Sequence, residues 1–150
     1  MLIRRATPAD IPHMRSLERQ AETAAHWAER EYDALFAPEA PERLTLIAGE
    51  GSDVGGFLIA RCDLEEWELE NVVVAPARRR GGIGSQLVGA LLHQATEAGA
   101  TSVLLEVRES NGPARQLYKK IGFIEAGRRP KYYESPAEDA LLLKYSVSIS

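Results

Sequence analysis

The chain has 150 residues, 45% of them hydrophobic and 27% charged, with a net charge of −4 at neutral pH. That length suits a single domain able to bury about 70% of its unfolded surface, and the acidic balance argues against a duplex-binding protein. No run approaches the ~20 apolar residues that cross a bilayer, and the opening M-L-I-R-R-A-T-P-A-D has no apolar core of signal-peptide length. The lone Cys62 excludes an internal disulfide and fits a reducing cytoplasm; in its apolar strand pattern it reads as buried filler rather than a nucleophile. His13, His26 and His93 are scattered without ligand spacing, so no metal site is expected.

Taken in order, Leu2-Ile3-Arg4-Arg5 is a short first strand. Thr7-Pro8-Ala9-Asp10 starts a helix, with a hydroxyl N-cap, proline at the first helical position and an acid near the third. Ile11, Met14, Leu17 and Ala21 then repeat at helical spacing, and Ala28–Phe36 reads as a second helix with His26 and Trp27 at the junction. Pro38 and Pro41 mark a loop. Leu44–Ala48 is a strand, Gly49–Asp53 a hairpin turn and Val54–Cys62 its partner, where Gly55-Gly56 suggests a bulge or a close backbone approach. Trp67–Val74 follows, antiparallel through the Asp63–Glu66 turn. Glu65, Glu66, Glu68 and Glu70 crowd this strand and its approach; they favour a cationic substrate, or else form a solvated strand edge.

The β-branched run Val72-Val73-Val74 reads as buried strand, and Pro76 stops its ladder. Arg78-Arg79-Arg80, Gly81, Gly82 and Gly84 come next, then an amphipathic helix burying Leu87, Leu91 and Leu92 and capped by Gly99. Ser102–Val107 is a strand buried on both faces. Ser110-Asn111-Gly112-Pro113 opens a short helix that ends at Gly122. Phe123–Gly127 and Ala140–Val147 are the last strands, with Tyr132-Tyr133 in the loop between them. This order gives an α/β class (α+β in some schemes), a mixed sheet flanked by helices whose central β-α-β unit is parallel and right-handed.

Strand, basic turn, glycines and helix start together suit a diphosphate. Glycines let backbone approach a ligand, and a helix N-terminus offers free N–H groups. The arginine run is alternatively a nucleic-acid patch or a solvated turn. A P-loop is excluded because no lysine followed by Ser or Thr closes the loop. A dinucleotide fingerprint is excluded because Leu stands at position 87 and seven residues separate Val74 from Gly82. What remains, Arg79, Gly82 and Gly84 after V-x-P, resembles the [QR]-x-x-G-x-[GA] pyrophosphate loop of the GCN5-related N-acetyltransferases.

A second block, L-E-V-R-E-S-N-G-P-A-R-Q-L-Y-K-K-I-G-F from Leu105 to Phe123, is similar to that of the bacterial RimI-type members, which acetylate the N-terminal alanine of a small-subunit ribosomal protein. Asn71–Pro76 matches their N-[IV]-x-V-x-P. Arg129, Tyr132, Tyr133 and Glu138-Asp139-Ala140 match their R-x-x-Y-Y…E-D-A, and H-W-A-E-R-E-Y is similar to their P-W-S-x-x-x-F. The resemblance spans nearly the whole chain. It implies the acyl-CoA N-acyltransferase fold, a mostly antiparallel seven-stranded sheet with about four helices, and acetyl-CoA as cosubstrate. It implies that the strand ending in Val72, Val73 and Val74 splays from its neighbour and pairs with the pantetheine arm. By the same likeness Arg80, Gly81, Gly82, Ile83, Gly84 and Ser85 bind pyrophosphate, and Asn111 contacts pantetheine or serves only as a helix N-cap.

Glu106 is the general base by that resemblance, and a carboxylate inside an apolar strand is costly unless paired or functional. A structural ion pair with Arg108 is the alternative, and Glu68 or Glu70 is the rival base. Tyr118 resembles the acid that protonates the departing thiolate; helical tyrosines are otherwise filler. Trp27, Glu70 and Tyr132 are expected to bind the acceptor, with Trp27 otherwise a core anchor. An α-amino group, with a pKa of about 7.7–8.0, is roughly a tenth unprotonated at pH 7, whereas lysine is far less so, so an N-terminal substrate asks for only modest base catalysis. The RimI-type pattern has an apolar residue or Thr where Glu68 and Glu70 stand, a departure that bears on which N-terminus is preferred. Acetylation of a small amine or a lysine side chain, and a silent coenzyme A-binding sensor, are the alternatives. A monomer or weak dimer acting on a protein N-terminus, without nucleic acid or membrane, is expected.

Overall fold

The computed structural model describes residues 2–21, 29–51, 53–78, 81–133 and 137–147, with backbone alone at residue 29. Strands β1 (Ile3–Arg5), β2 (Arg43–Glu50), β3 (Asp53–Arg61), β4 (Glu66–Val74), β5 (Ser102–Arg108), β6 (Ile124–Tyr133) and β7 (Glu138–Ser146) form one sheet in the order β1-β2-β3-β4-β5-β7-β6. Every neighbouring pair is antiparallel except β4 and β5. That parallel pair is joined by α3 (Ile83–Glu97), as a parallel connection requires. The remaining helices are α1 (Ile11–Gln20), α2 (Glu29–Asp33) and α4 (Gly112–Ile121). Among the described residues no helix is long and apolar enough to cross a membrane.

Each face of the sheet has its own core. On one face Leu87, Val88, Leu91, Leu92 and Ala95 of α3, with Tyr118 of α4, pack on Leu46, Leu58, Leu69, Val103, Leu105 and Leu143. On the other, Met14 and Leu17 of α1 and Tyr32 of α2 pack on Ile47, Phe57, Ile59 and Val73. Strand β4 serves both faces through a bulge. Its register against β3 runs Ile59 with Asn71 and then Ala60 with Leu69, so Glu70 is an extra residue. Before it Trp67 and Leu69 belong to the α3 core; after it Val73 belongs to the α1 core, while Val72 and Val74 lie half-buried against the first.

Strands β2 and β3 extend closer to their turn than the sequence suggests, to Glu50 and Asp53. Both expectations for the glycine pair hold. Ala48 faces Gly56 and Gly49 faces Val54, which leaves Gly55 bulged, and a Cβ on Gly56 would lie 2.8 Å from the Val73 carbonyl oxygen. The helix stops also hold, with Gly99 at φ +84° and Gly122 at φ +125°. Tyr132-Tyr133 is a correction: both residues end β6 rather than occupying the loop. This edge strand is exposed along most of its length, and its pairing is irregular between Arg129 and Tyr133, so no alternation marks it.

The entry to α1 is fastened to the sheet edge. Asp10, only 6% exposed, accepts from both Nη atoms of Arg4 at 2.7 and 2.9 Å and from the Thr7 backbone N–H at 2.8 Å. The Arg4 hydrogen bonds, above all, hold its carboxyl down at about 2. A lowered carboxyl adds stability that is present above the unfolded value and lost as pH falls through the folded one. Asp10→Asn is therefore expected to lower the unfolding free energy at pH 7 by about 1–2 kcal/mol, the part-exposed Arg4 screening the remainder. Urea unfolding at pH 7, 4 and 2 checks this; the gap between the two proteins closes toward pH 2, and a constant gap would contradict it.

Candidate active site

The parallel ladder between β4 and β5 is short. It pairs Glu66 with Ser102 and ends at Leu69 with Leu105. Past that point β5 pairs with β7, through Glu106 to Leu142 and Arg108 to Ala140, while β4 stays with β3 as far as Val74 facing Gly56. The two strands therefore part, and the edge of β4 from Glu70 to Val74 is left without a strand on that side. The first residues beyond the last paired position are Glu70 and Glu106, one on each lip of the split. The splay implied by the sequence resemblance is present.

The glycine turn and α3 start follow directly from the end of β4. Gly82, at φ +81°, is the helix N-cap, and the first intrahelical bond runs from Gln86 N–H to the Gly82 carbonyl. The N–H groups of Ile83, Gly84 and Ser85 consequently have no acceptor within the helix. Gly81, Gly82 and Ser85 are exposed, Ile83 is buried and Gly84 half-buried. A Cβ at Gly84 would lie 3.4 Å from Leu117 Cδ2 and 3.9 Å from Val74 Cγ2, so α3, α4 and the end of β4 converge at this residue. Gly-rich backbone, unsatisfied N–H groups and an open strand edge make a cradle for an extended ligand with a phosphate end. Arg78 bonds Asp53 on the β2–β3 hairpin. Arg80 and its neighbour Arg79 lie outside the described residues, as does Trp27.

Charged groups gather on the sheet face opposite α3. Arg43 bonds Glu70 in two places, at 2.7 and 3.4 Å, with both side chains less than a fifth exposed. Glu106 is 17% exposed and pairs with Arg129, whose Nε lies 3.3 Å away and whose side chain is 59% exposed. The expected Glu106–Arg108 alternative is corrected by the geometry. Arg108 turns instead to Glu138 at 3.1 Å and lies 4.2 Å over the Tyr133 ring. Burial pushes the Glu68 carboxyl up, with help from the charges of Glu70 and Glu106 and against Arg61 and Arg129. Burial and then Glu106 push up the Tyr133 phenol as well. Tyr132 is half-exposed, with the Arg129 guanidinium 5.2 Å from its ring centroid.

Tyr118 is 5% exposed beside Phe123, and burial raises its phenol, which stays protonated through the neutral range. Asn111 caps α4, its Oδ1 accepting the Ala114 N–H at 3.3 Å. Val73 is buried and Val72 and Val74 half-buried, so their side chains belong to the cores while their backbone lines the split. Arg43 and Arg129, which hold the two lip carboxylates, were not expected as site residues. Their partners stand 27 and 23 positions away, beyond any local pattern.

The model of the acetyltransferase (GNAT) family matches residues 11–123. Over 136 residues the chain is 34% identical to the ribosomal protein bS18-alanine N-acetyltransferase of Haemophilus influenzae, covering 91% of this chain and 90% of that one. The Escherichia coli protein of the same name is 32% identical over 143 residues, with 93% of each chain covered. The crystal structure of the Escherichia coli ribosomal-protein-S18-alanine N-acetyltransferase superposes with a TM-score of 0.87 at 27% identity, over 99% of this chain and 95% of that one.

The cap at Asn111 can be weighed by substitution. Asn111→Ala is expected to cost about 1 kcal/mol of stability and Asn111→Gly only a few tenths. Chemical denaturation of the two variants checks this, and equal losses would mean that the Oδ1 bond contributes nothing.

Proposed function

The chain belongs to the GNAT acetyltransferase family and is an N-acetyltransferase, and we propose that it transfers acetyl from acetyl-CoA to the α-amino group of a protein N-terminus, an N-terminal alanine of a small-subunit ribosomal protein. The observation that carries this is the split between β4 and β5, with a carboxylate on each lip and an N–H-rich turn at its end. The substrate assignment rests on the names of the relatives that match over nine-tenths of the chain.

Acetyl-CoA supplies the acetyl group as a thioester whose carbonyl carbon takes the amine. Backbone of Val72, Val73 and Val74 pairs with the pantetheine amides across the split. N–H groups of Gly82, Ile83, Gly84 and Ser85, with the Arg80 charge and the bare backbone of Gly81, whose own N–H donates to the Arg78 carbonyl, hold the pyrophosphate, and Asn111 meets the arm from the start of α4. Trp27, Glu70 and Tyr132 border the acceptor. Glu106 takes the proton that the α-ammonium gives up, directly or through one water. The freed nitrogen forms the C–N bond as the C–S bond breaks, and Tyr118 returns a proton to the leaving sulfur. The acceptor nitrogen gives up two protons in all: the first is held at Glu106, and the second, released as the amide forms, restores through solvent the proton that Tyr118 gave to the thiol.

Glu106 is favoured over Glu70 because, at about equal exposure, it has a single, longer contact with a half-exposed arginine whereas Glu70 is gripped twice by a mostly buried Arg43. Short peptides differing at residue one, each with a free and a blocked N-terminus, test the reading. Acetylation of free Ala-starting peptides, with Glu106→Gln slower by about 10²–10⁴-fold and Tyr118→Phe also impaired, is the expected result. Transfer that persists on blocked, lysine-containing peptides would sink the N-terminal assignment, and full turnover in Glu106→Gln would move the base to Glu70 or Glu68.

A further inference from the structure

Three arginines face the carboxylates at the split, and they are held unequally. Arg43 grips Glu70 through two nitrogens, and both partners are mostly buried. Arg108 is fixed by Glu138 and by the face of Tyr133. Arg129 makes one 3.3 Å contact to Glu106, keeps 59% of its side chain exposed, and rests by the half-exposed Tyr132. It is also the last residue of β6 in regular register. The pairing of Arg129 with Ala140 is followed only by Tyr133 with Glu138, across Pro130 and Lys131, the latter at φ +51°.

Just before the split, in the paired stretch of β4, stands Glu68, which faces Leu104 and so lies on the same sheet face as Glu106 two positions on. Among the described residues it forms no ion pair within 4 Å, yet it feels the charge of Arg61 opposite it on β3 and, to a smaller degree, that of Arg129, against those of Glu70 and Glu106. Arg129 therefore lies within electrostatic reach of two carboxylates, Glu106, which it contacts, and Glu68, which it shares with Arg61. Glu106 is only 17% exposed, so a guanidinium beside it offsets the cost of a mostly buried charge while the acceptor is absent.

We propose that Arg129 is a specificity-determining residue whose guanidinium occupies the acceptor ammonium's place at Glu106 and moves toward Glu68 when a cationic acceptor displaces it. An α-ammonium replaces the lost charge and donates up to three hydrogen bonds. A neutral group does neither and leaves Arg129 where it is. Tyr132 keeps an aromatic face against the guanidinium in either position. The assignment rests on Glu106 as the base and goes beyond it by giving the acceptor a competitor built into the chain.

A half-exposed ion pair is weak, so the competition is mild. Removing it is expected to lower the acceptor KM by about two- to fivefold. Steady-state kinetics with an Ala-starting peptide at saturating acetyl-CoA compare the parent with Arg129→Gln, Arg129→Lys, Glu68→Gln and the Arg129→Gln/Glu68→Gln pair. Arg129→Gln lowers KM without raising kcat, and Arg129→Lys, which keeps a charge, stays near the parent. Glu68→Gln raises KM in the parent but not in the Arg129→Gln background. A raised or unchanged KM in Arg129→Gln, or additive effects in the double variant, overturns the exchange. Glu106→Gln separates the two readings: if it is inactive, those outcomes overturn the exchange alone, and if it is active, the base assignment falls and the exchange with it.

Discussion

One extra residue in β4 organises the site. If β4 kept a regular ladder with β3, the side chains that pack against α3 before Glu70 would continue to do so as far as Val74. The bulge changes the face instead, and Val73 enters the α1 core while Val72 and Val74 turn toward α3. A bulge also bends its strand and increases local twist, and the parallel ladder to β5 ends at Leu69, the residue before it. Bulge and split are thus neighbours in the chain. Strand β4 remains anchored through β3, where Gly56 lets its backbone come within 2.8 Å of a Cβ position, so the strand is held rigidly on one side while its other edge stays open.

The same geometry concentrates charge. Ending the ladder places Glu70 and Glu106 at the first unpaired positions, on a face that also receives Glu68. Three carboxylates so close repel one another, and this adds to the larger effect of burial in raising the Glu68 carboxyl. Arginines from β2 and β6 offset the repulsion, but to different degrees. Two bonds from a mostly buried Arg43 hold Glu70, whereas a single contact ties Glu106 to a half-exposed Arg129. The two carboxylates, at corresponding positions on the two lips, thus differ in how their arginines are buried.

Much of the fold was legible because it is locally written. Met14, Leu17 and Ala21 face the core at helical spacing, Asn111 caps α4, and Gly99 and Gly122 adopt the positive φ that ends each helix. The bulge was not legible: Trp67, Leu69, Asn71 and Val73 are all buried at alternate positions, so the period runs unbroken through a change of face. Strand β6 extends to Tyr133 without being visible, because an exposed edge strand with irregular register has no apolar side to alternate. The lip carboxylates were picked out as residues, but their partners were not. Glu106 has Arg108 two positions away on its own strand, and only the antiparallel register of β6 and β7 brings Arg129 closer.

The site also matches the chemistry it is asked to perform. An α-ammonium loses its proton far more readily than a lysine side chain does, so its base need not be strongly perturbed. It needs to be near, ionised and exchangeable. A carboxylate gripped as Glu70 is would hold its arginine against an incoming ammonium, and a bare one would be costly in a closed site. A carboxylate with a single loosely held guanidinium lies between those extremes. Tyr118 lies on the α3 side of the sheet, where burial keeps its phenol protonated through the neutral range. Glu106 and Tyr118 thus lie on opposite faces of the sheet, the carboxylate against a half-exposed arginine and the phenol in a dry core.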